Sequence, residues 1–433
     1  MADSDVEVVV IGGGAAGVAA AKRLTEASIG CLLVEARPRL GGRAWTVHDD
    51  SGHALDLGCG WLHSADRNPW TRVAQREGFA IDETPPPWRN RPLEASLTRA
   101  EHNAFRQAID EFYTHLEEAA EGNIDAPAST LLDPASRWNP LLNAMSTYIS
   151  GAELDRVSLK DLDNYHSTDL NWRVVEGYGT LVSAHGANLP VMLGCPVGGI
   201  DHGGKRIAIR TNKGAITADQ VILTVPSAIL AAERIRFTPA LPEKVEAAYG
   251  LPLGHDDKLF ISLDGAEEFP ASARLFAHTD RAATAGYHIR PFGWPMIEAY
   301  FGGACAAELE TAGEAAFFDF AVAELVGVMG TDFAKRLKPI GVHCWGTDPY
   351  ALGAYSFARP GYADRRAVLA APVDDRLFFA GEACSLHDFS TAHGGYLTGV
   401  AAAEGVIAAR SKGKSGLTAR RHPHEALSKP GRE

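Results

Sequence analysis

Residues 6–17 have the sequence VEVVVIGGGAAG, a β-rich run that ends in a cluster of glycines. In this G-x-G-x-x-G pattern, Gly12 permits a tight turn, Gly14 lets the backbone approach a pyrophosphate, and Gly17 lets a helix pack closely on the strand. The following residues, 15–27, are rich in alanine and free of proline, which predicts a helix. Because its first N–H groups and positive dipole end would face the phosphates, the stretch predicts a dinucleotide-binding unit.

The next segment extends this unit. Cys31–Val34 predicts a second buried strand, and Glu35 stands at its end, where a carboxylate can accept hydrogen bonds from ribose hydroxyls. Residues 39–43, RLGGR, place two glycines between arginines, which allows close backbone approach and supplies a guanidinium for a diphosphate. A parallel strand pair joined by a helix predicts an α/β fold with a Rossmann-like, doubly wound sheet. The pattern alone does not separate NAD from FAD.

Composition limits the class of protein. The chain has 433 residues, of which 46% are apolar and 22% charged, as in a globular protein of two or three domains. Its net charge of −13 excludes a strongly basic surface, so we expect no nucleic-acid partner and a weak bias toward a cationic small substrate.

The cysteines and the apolar runs indicate the cellular compartment in which the protein is expected. Six cysteines are scattered without a C-x-x-C pair, which disfavours a disulfide scaffold or a metal site and favours a reducing compartment. The first apolar run ends in glycines instead of forming a signal peptide, and no run approaches about 20 apolar residues. We therefore expect a cytoplasmic protein without a transmembrane segment, and a homodimer stays open.

Further patterns indicate the domain organisation. Strands are predicted at 206–211, 220–225 and 377–381, and helices at 315–337 and 394–409. A capping box at Thr98 and Glu101 begins another helix, whose apolar stripe is Phe105, Ile109, Phe112 and Leu116. We expect that stripe to pack on its own core, with a pocket wall as the alternative.

The dinucleotide-binding patterns are separated by two insertions. The dinucleotide-binding domain is accordingly expected at 1–83, 190–250 and 370–410. It is interleaved with an α+β substrate-binding domain, with a mixed sheet and helices, at 84–189 and 251–369. Residues 411–433 are basic and poor in apolar residues, which predicts a disordered tail.

Residues 35–37, EAR, followed by the glycine pair, are the point where the chain resembles a known family. That family is the flavin-containing amine oxidases, which include monoamine oxidases and polyamine oxidases. Because phytoene desaturases and protoporphyrinogen oxidases share this portion, it implies FAD and leaves the substrate open. Residues 56–63, DLGCGWLH, resemble the family loop beside the flavin ring, with Cys59 in place of the usual alanine. Asn68-Pro69 also matches, most closely the polyamine-oxidase branch.

Later segments carry the resemblance along the chain. Residues 251–258, LPLGHDDK, resemble the segment whose lysine, here Lys258, holds a water at flavin N5 and stabilises charge on O₂. Residues 343–356 resemble the stretch whose tryptophan, Trp345, lies on the flavin and whose tyrosine, Tyr355, forms one wall of an aromatic cage. Ala354 stands where monoamine oxidases bond a cysteine to the flavin, which implies non-covalent FAD. Tyr396 would form the second wall.

The resemblance implies two sets of site residues and no metal site. The expected catalytic residues are Lys258, Tyr355, Tyr396, His63 and Trp61. The expected FAD-binding residues are Gly12, Gly14, Ala15, Ala16, Gly17, Glu35, Ala36, Arg37, Gly41, Gly42, Arg43, Gly58, Cys59, Gly60, Trp61, Val197, Pro226, Trp345, Gly381, Glu382, Gly395, Tyr396 and Leu397. For His63, a role as a plain surface or core histidine stays equally open.

The implied reaction is the oxidation of a mono- or polyamine by hydride transfer from the α-carbon to flavin N5. The imine would hydrolyse to an aldehyde, and O₂ would reoxidise the flavin and yield H₂O₂. One alternative, an L-amino acid oxidase, needs a cationic clamp for a carboxylate. The candidate arginines lie in no pattern of that kind: Arg67, Arg89, Arg91, Arg290 and Arg359. A second alternative is a desaturase-like flavoenzyme that acts on a C–C bond, which the pattern of Lys258 and two tyrosines disfavours. A flavin-binding protein without turnover is the third alternative.

Overall fold

Two large β-sheets organise the chain in the computed structural model, which describes residues 4–419. The strands are β1 Ser4–Ile11, β2 Cys31–Val34, β3 Thr46–His48, β4 Ala54–Asp56, β5 Ile81–Asp82, β6 Arg173–Val174, β7 Val191–Met192, β8 Val197–Asp201, β9 Ile207–Thr211, β10 Gly214–Leu223, β11 Arg236–Thr238, β12 Asp256–Leu263, β13 Ala273–Phe276, β14 Gly286–Ile289, β15 Met296–Gly302, β16 Leu337–Val342 and β17 Leu377–Phe379. The helices are α1 Ala15–Glu26, α2 Pro69–Glu77, α3 Arg99–Ala120, α4 Asn139–Ser150, α5 Leu159–Asp163, α6 Tyr178–Gly186, α7 Ser227–Ala231, α8 Pro242–Gly250, α9 Gly303–Ala312, α10 Glu314–Met329, α11 Arg365–Ala370 and α12 Ala392–Ala419.

The larger sheet has eight strands in the order β11-β8-β9-β10-β1-β2-β7, with β17 paired to the second half of β10. β1 pairs in parallel with both β2 and β10. Val8 and Val10 point into a core shared with α1 and α12, whereas Val9 and Ile11 point into a core shared with α8 and α11. Because helices cover both faces of a mostly parallel centre, the predicted α/β, doubly wound fold class is confirmed.

The smaller sheet has five antiparallel strands in the order β13-β14-β15-β12-β16. Residues directly opposite each other in such a sheet share a face. Lys258 on β12 lies opposite Tyr300, Tyr300 lies opposite Gly286, and Gly286 lies opposite Phe276. This row crosses four strands and forms one wall of the site described below.

Two glycines let α1 make unusually close contacts. A Cβ atom on Gly17 would lie 1.8 Å from the carbonyl oxygen of Gly12, and one on Gly399 would lie 2.1 Å from that of Ala16. Any side chain at these positions would therefore push α1 away from the turn after β1 or away from α12. The role expected for Gly17, close packing of the helix on the turn, agrees with this geometry.

Several element bounds differ from those predicted. The capping box at Thr98 and Glu101 is present, but α10 is shorter than the helix predicted at 315–337 and ends at Met329. A disordered tail was predicted from residue 411, but α12 continues to Ala419, so the predicted boundary lies too early in the chain. Residues 411–419 contain no proline, and extending an existing helix costs far less than nucleating one. The rest of that tail, 420–433, lies outside the described residues.

A buried ion pair joins α5 to α11. The Arg366 guanidinium donates to both carboxylate oxygens of Asp161, at 2.6 Å and 2.8 Å, and both side chains are almost fully buried. The Asp161 carboxylate also accepts a hydrogen bond from the Ala358 backbone N–H at 2.8 Å. This pair fastens the helical insertion to the segment that precedes β17.

We predict that Arg366→Met lowers the free energy of unfolding by about 3–5 kcal/mol, because it leaves a buried carboxylate without its counter-ion. Urea denaturation at constant cofactor concentration measures this loss. The neighbouring Arg365 pairs with Asp364 at 3.5 Å on the surface, so Arg365→Met should change the free energy by about 1 kcal/mol or less. Equal unfolding midpoints for the two variants would contradict the structural role of the pair.

Candidate active site

A single cavity of about 1540 Å³ extends from the glycine turn after β1 to the wall formed by the five-stranded sheet. Small-molecule sites usually measure about 300–1,000 Å³. The cavity therefore has room for a dinucleotide together with a second ligand. All of the site residues expected from the sequence line it except Gly17, Tyr396 and Leu397.

The glycine turn forms one end of the cavity and is shaped for a phosphate. Gly12 has a φ of +106°, and the α1 N-terminus begins at Gly14 without a side-chain cap. Ala15 and Ala16, the first residues of that helix, line the cavity. A Cβ atom on Gly381, across the cavity, would meet no atom within 4 Å. Uncapped N–H groups facing open space are the setting in which a pyrophosphate binds.

Glu35 holds this turn in place as well as lining the cavity. One carboxylate oxygen accepts the Gly13 N–H at 2.5 Å, and the other accepts the Arg37 N–H at 2.7 Å. A carboxylate has about four acceptor positions, so two remain for ribose hydroxyls. The sequence indicated only the ribose role, and the structure adds the bracing of the turn.

Two arginines beside the turn are already paired with carboxylates. The Arg37 guanidinium donates to both oxygens of Asp348, at 2.8 Å and 2.6 Å, and Arg43 donates to Glu382 at 2.9 Å. Burial opposes ionisation of Asp348, but hydrogen bonds from His343 and Arg37 hold its pKa well below the usual range. Both guanidiniums are thereby kept in position at the cavity wall. These residues, the glycine turn and Glu35 fit the adenosine diphosphate portion of FAD.

Lys258 lies at the opposite end of the cavity. Its Nζ donates to the Asp56 carbonyl oxygen at 2.7 Å and lies 3.5 Å from a Glu298 carboxylate oxygen. Arg173 donates to the same carboxylate at 2.9 Å. Although burial opposes ionisation, the two cations hold the pKa of Glu298 well below its usual range. The Lys258 side chain is therefore held in place inside the protein by a carbonyl oxygen and a carboxylate.

Two residues of the predicted loop stand near Lys258. The Trp61 indole N–H points to the Tyr300 hydroxyl at 3.4 Å. The His63 Nδ1 lies 2.7 Å from Asn171 Oδ1, and the Asn171 amide N–H₂ donates to the Asp169 carbonyl, which sets the amide orientation. Burial lowers the pKa of His63 to about 4. The imidazole is consequently neutral near pH 7, with Nε2 available as an acceptor.

The two tyrosines expected to face each other do not do so. Tyr355 lines the cavity, and its hydroxyl donates to the Tyr148 carbonyl at 2.7 Å. The Tyr396 ring instead packs edge-on against Trp70, with ring centroids 5.2 Å apart. Both Gly395 and Tyr396 lie on α12, where one residue is a rotation of about 100°. Since Gly395 faces the cavity, Tyr396 is turned away from it, and the expected cage of Tyr355 and Tyr396 is wrong.

Leu397 also lies off the cavity, with a side chain that is 43% exposed. Like Tyr396, it had been expected from the resemblance to bind FAD. Successive residues of a helix face different directions, so at most one of 395–397 can face the cofactor with its side chain. In this chain that position is occupied by Gly395, whose backbone lines the cavity.

Asp256 is a cavity residue that the sequence analysis missed. It is two residues before Lys258 on β12, so both side chains point to the same face of the sheet. Its Oδ2 is buried and has no hydrogen-bond partner among the described residues. Burial raises its pKa to about 8, against the opposing effects of Tyr355 and Lys258. Because side chains alternate along a strand, the spacing of Asp256 from Lys258 is the sequence signal that places both on one face.

The apolar stripe on α3 was expected to pack on its own core, with a pocket wall as the alternative, and the structure shows both. Phe112 and Leu116 are buried in the core of the helical insertion, Ile109 lines the cavity, and Phe105 does both. Within residues 4–419, no helix is long and apolar enough to cross a membrane. The same range holds no cluster of three or more ligating side chains suited to a metal ion.

Comparison with known proteins agrees with this geometry. The family model for flavin containing amine oxidoreductase matches residues 15–145 and 91–407. Polyamine oxidase 4 of Oryza sativa subsp. japonica is 30% identical over 442 residues, which cover 93% of this chain and 88% of that protein. Probable polyamine oxidase 4 of Arabidopsis thaliana is 29% identical over 437 residues, 92% of this chain and 86% of its own.

A solved structure of a putrescine oxidase double mutant, described as a redesign of cofactor binding, has the same fold. Its TM-score is 0.75 at 18% identity, and the match covers 94% of this chain and all of that one. The family match over residues 15–407, the polyamine oxidase relatives and a cavity whose residues fit FAD all agree. The chain therefore belongs to the flavin-containing amine oxidoreductase family, and it is an oxidoreductase that acts on amine groups with FAD as its cofactor.

Proposed function

We propose that the protein oxidises an aliphatic mono- or polyamine to an imine, which water converts to an aldehyde, and that O₂ is reduced to H₂O₂. The observation that carries this proposal is the enclosed end of the cavity, where Asp256, Lys258 and Tyr355 stand together on its wall. Bound FAD would supply the redox chemistry, because it accepts a hydride from the α-carbon of an amine and passes two electrons to O₂.

The chain's own residues would hold the cofactor at both ends. The α1 N-terminus and the turn at Gly14 would bind the pyrophosphate, with Arg43 beside it. Trp345 is fixed for contact with the ring system, because its indole N–H donates to the Leu57 carbonyl and its backbone N–H to Asp257, both at 2.9 Å. Ala354 has no nucleophilic atom, which supports FAD held without a covalent bond.

Asp256 would receive the substrate's ammonium group. Its free Oδ2 is a buried acceptor beside Tyr355, whose aromatic face can also attract a cation by about 0.5–2 kcal/mol. A dry pocket disfavours the ammonium form, so the bound amine can pass a proton to Asp256 Oδ2. The nitrogen then keeps the lone pair that loss of hydride from its α-carbon requires.

His63 and Lys258 would have separate tasks. A neutral His63 can accept an N–H of the amine at Nε2, because its Nδ1 is paired with Asn171. Lys258 is paired with Glu298, and a cation there would stabilise the negative charge that develops on O₂. Neither task needs a metal ion or a protein nucleophile.

The proposal predicts that mixing the protein with an amine under anaerobic conditions bleaches the absorption band of oxidised FAD. Admitting air should restore the band and yield one H₂O₂ and one aldehyde for each amine consumed. A peroxide-coupled screen of monoamines, diamines and polyamines would then rank the substrates. If no amine bleaches the flavin, the protein binds FAD without turning amines over, and the proposal is wrong.

Asp256→Asn should reduce kcat/KM for an amine by about 10- to 100-fold at pH 9, because it removes a charged acceptor for the ammonium. The carboxyl with a pKa of about 8 is neutral below that pH and ionised above it. The wild type should therefore gain activity as the pH rises through 8, and the variant should lose that rise. Asp280→Asn, which removes an exposed carboxylate, is the matched control. Identical pH profiles for Asp256→Asn and the wild type would exclude Asp256 as the acceptor of the substrate's ammonium group.

Lys258→Met should slow the reoxidation of reduced protein by O₂ more than it slows anaerobic bleaching by the amine. The reason is that the positive charge at Nζ acts on O₂, whereas the amine is bound by other groups. Stopped-flow absorbance resolves the two half-reactions. Equal slowing of both would show that Lys258 has a general structural effect instead.

A further inference from the structure

Arg274, on β13, presents a guanidinium to the cavity without a partner. It lines the cavity and stacks over the Phe276 ring, with Cζ 4.1 Å from the ring centroid. Among the described residues its side chain has no ion pair and no hydrogen-bond acceptor. Arg37, Arg43 and Arg89, which line the same cavity, are paired with Asp348, Glu382 and Asp169, whereas Arg106, Arg210 and Arg234 share with Arg274 the lack of an ion pair among the described residues.

The Arg274 side chain is half-buried, and a partly desolvated guanidinium without a counter-ion is costly. Burial lowers the pKa of Arg274 to about 10, so the group keeps its charge at neutral pH while it lacks much of its hydration. Only the nearby Tyr148 phenol opposes that shift. Unpaired buried charges are rare because their desolvation is not compensated. A planar guanidinium of this kind binds a carboxylate through two parallel hydrogen bonds.

The surroundings of Arg274 are cationic and apolar. His102 and Arg106 on α3 line the same part of the cavity, and the pKa of His102 is lowered by burial and by the charges of Arg106, Arg274 and Arg91. Glu117 also lines the cavity, but it is 11 residues beyond Arg106 on α3, a distance of about 16 Å along the helix. A second ammonium group would be repelled here, and an anion would be attracted.

The separation of Arg274 from Lys258 indicates where the anion would lie on the substrate. β13 and β12 are separated by two strands, so their backbones are about 14 Å apart. Tyr300 and Gly286 stand between them in the row from Lys258 to Phe276. A Cβ atom on Gly286 would lie 3.3 Å from the Tyr148 ring, so that ring, which also lines the cavity, covers Gly286. The amine at Asp256 and an anion at Arg274 would accordingly occupy opposite ends of one extended ligand.

We propose that Arg274 binds a carboxylate, and that the substrate is an ω-amino carboxylate, an aliphatic amine with a carboxylate at the far end of its chain. The hydrocarbon between the two charges would lie on Phe105, Ile109 and Phe276, which line the cavity near Arg274. This inference rests on the proposed oxidation of an amine and specifies the substrate class.

Three substrates of equal chain length test the inference in the holoenzyme: 6-aminohexanoate, hexane-1,6-diamine and hexylamine. The wild type should show a kcat/KM for 6-aminohexanoate at least about tenfold above that for the diamine. Arg274→Gln should lower kcat/KM for 6-aminohexanoate by about 10- to 100-fold and change that for hexylamine by less than about threefold. Arg274→Lys should restore part of the loss, because it keeps the charge without the two-pronged geometry.

The surface variant Arg99→Gln, which makes the same change in net charge, should match the wild type on all three substrates. A wild-type preference for the diamine would overturn the inference. It would also be overturned if Arg274→Gln lowered kcat/KM for the three substrates equally, since that result indicates a general effect on the pocket.

A binding measurement separates this inference from the proposed reaction. Hexanoate has no amine to oxidise, and calorimetric titration should show that it binds the wild-type holoenzyme at least about tenfold more tightly than it binds Arg274→Gln. Equal affinities would overturn the carboxylate site even if amines are oxidised. Binding that depends on Arg274, without bleaching by any amine, would support the site and exclude the reaction.

Discussion

The ion pair between Arg43 and Glu382 is the contact on which the architecture of the site depends. It joins residues 339 positions apart, at 2.9 Å, and Arg43 also donates to the Ala354 carbonyl at 2.6 Å. Glu382 in turn accepts a hydrogen bond from the Ser356 hydroxyl at 2.6 Å. The first βαβ unit, the loop that carries Tyr355 and the start of α12 are thus held together around one cavity. Because Glu382 is buried and Arg43 is half-buried, loss of Arg43 would leave a buried carboxylate without this counter-ion.

Charged side chains in the cavity wall and directly behind it fall into two groups with different consequences. Glu298, Asp348 and Glu382 are each paired with an arginine inside the protein, so they stabilise the wall and have little capacity left for a ligand. Asp256 and Arg274 lack such partners, and both are on the face of the five-stranded sheet that lines the cavity. A rigid antiparallel sheet keeps these two groups apart, so a ligand that satisfies both must be extended and carry opposite charges at its ends.

The sequence predicted the cofactor end of the site well and the substrate end only in part. The turn from Gly12 to Gly17 and the carboxylate of Glu35 are local features, because a few consecutive residues specify the turn. Tyr396 was misplaced because motif matching gives a position along a helix and does not give the direction of its side chain. Asp256 could have been predicted from the alternation of side chains along β12, because it lies two residues before Lys258 and shares its face. Arg274 belongs to no motif, and its lack of a partner depends on residues distant in sequence.

By itself, the sequence determined the βαβ unit, the α/β fold class, the FAD-binding turn and the family, since these follow from backbone requirements and spacings that neighbouring residues supply. The tertiary structure alone decided that Tyr396 packs on Trp70, that Asp256 keeps a free oxygen and that Arg274 faces the cavity unpaired. The physical reason is that the neutralisation of a buried charge depends on segments that meet only after folding. Those non-local contacts, which local pattern does not encode, determine which groups remain available to a substrate.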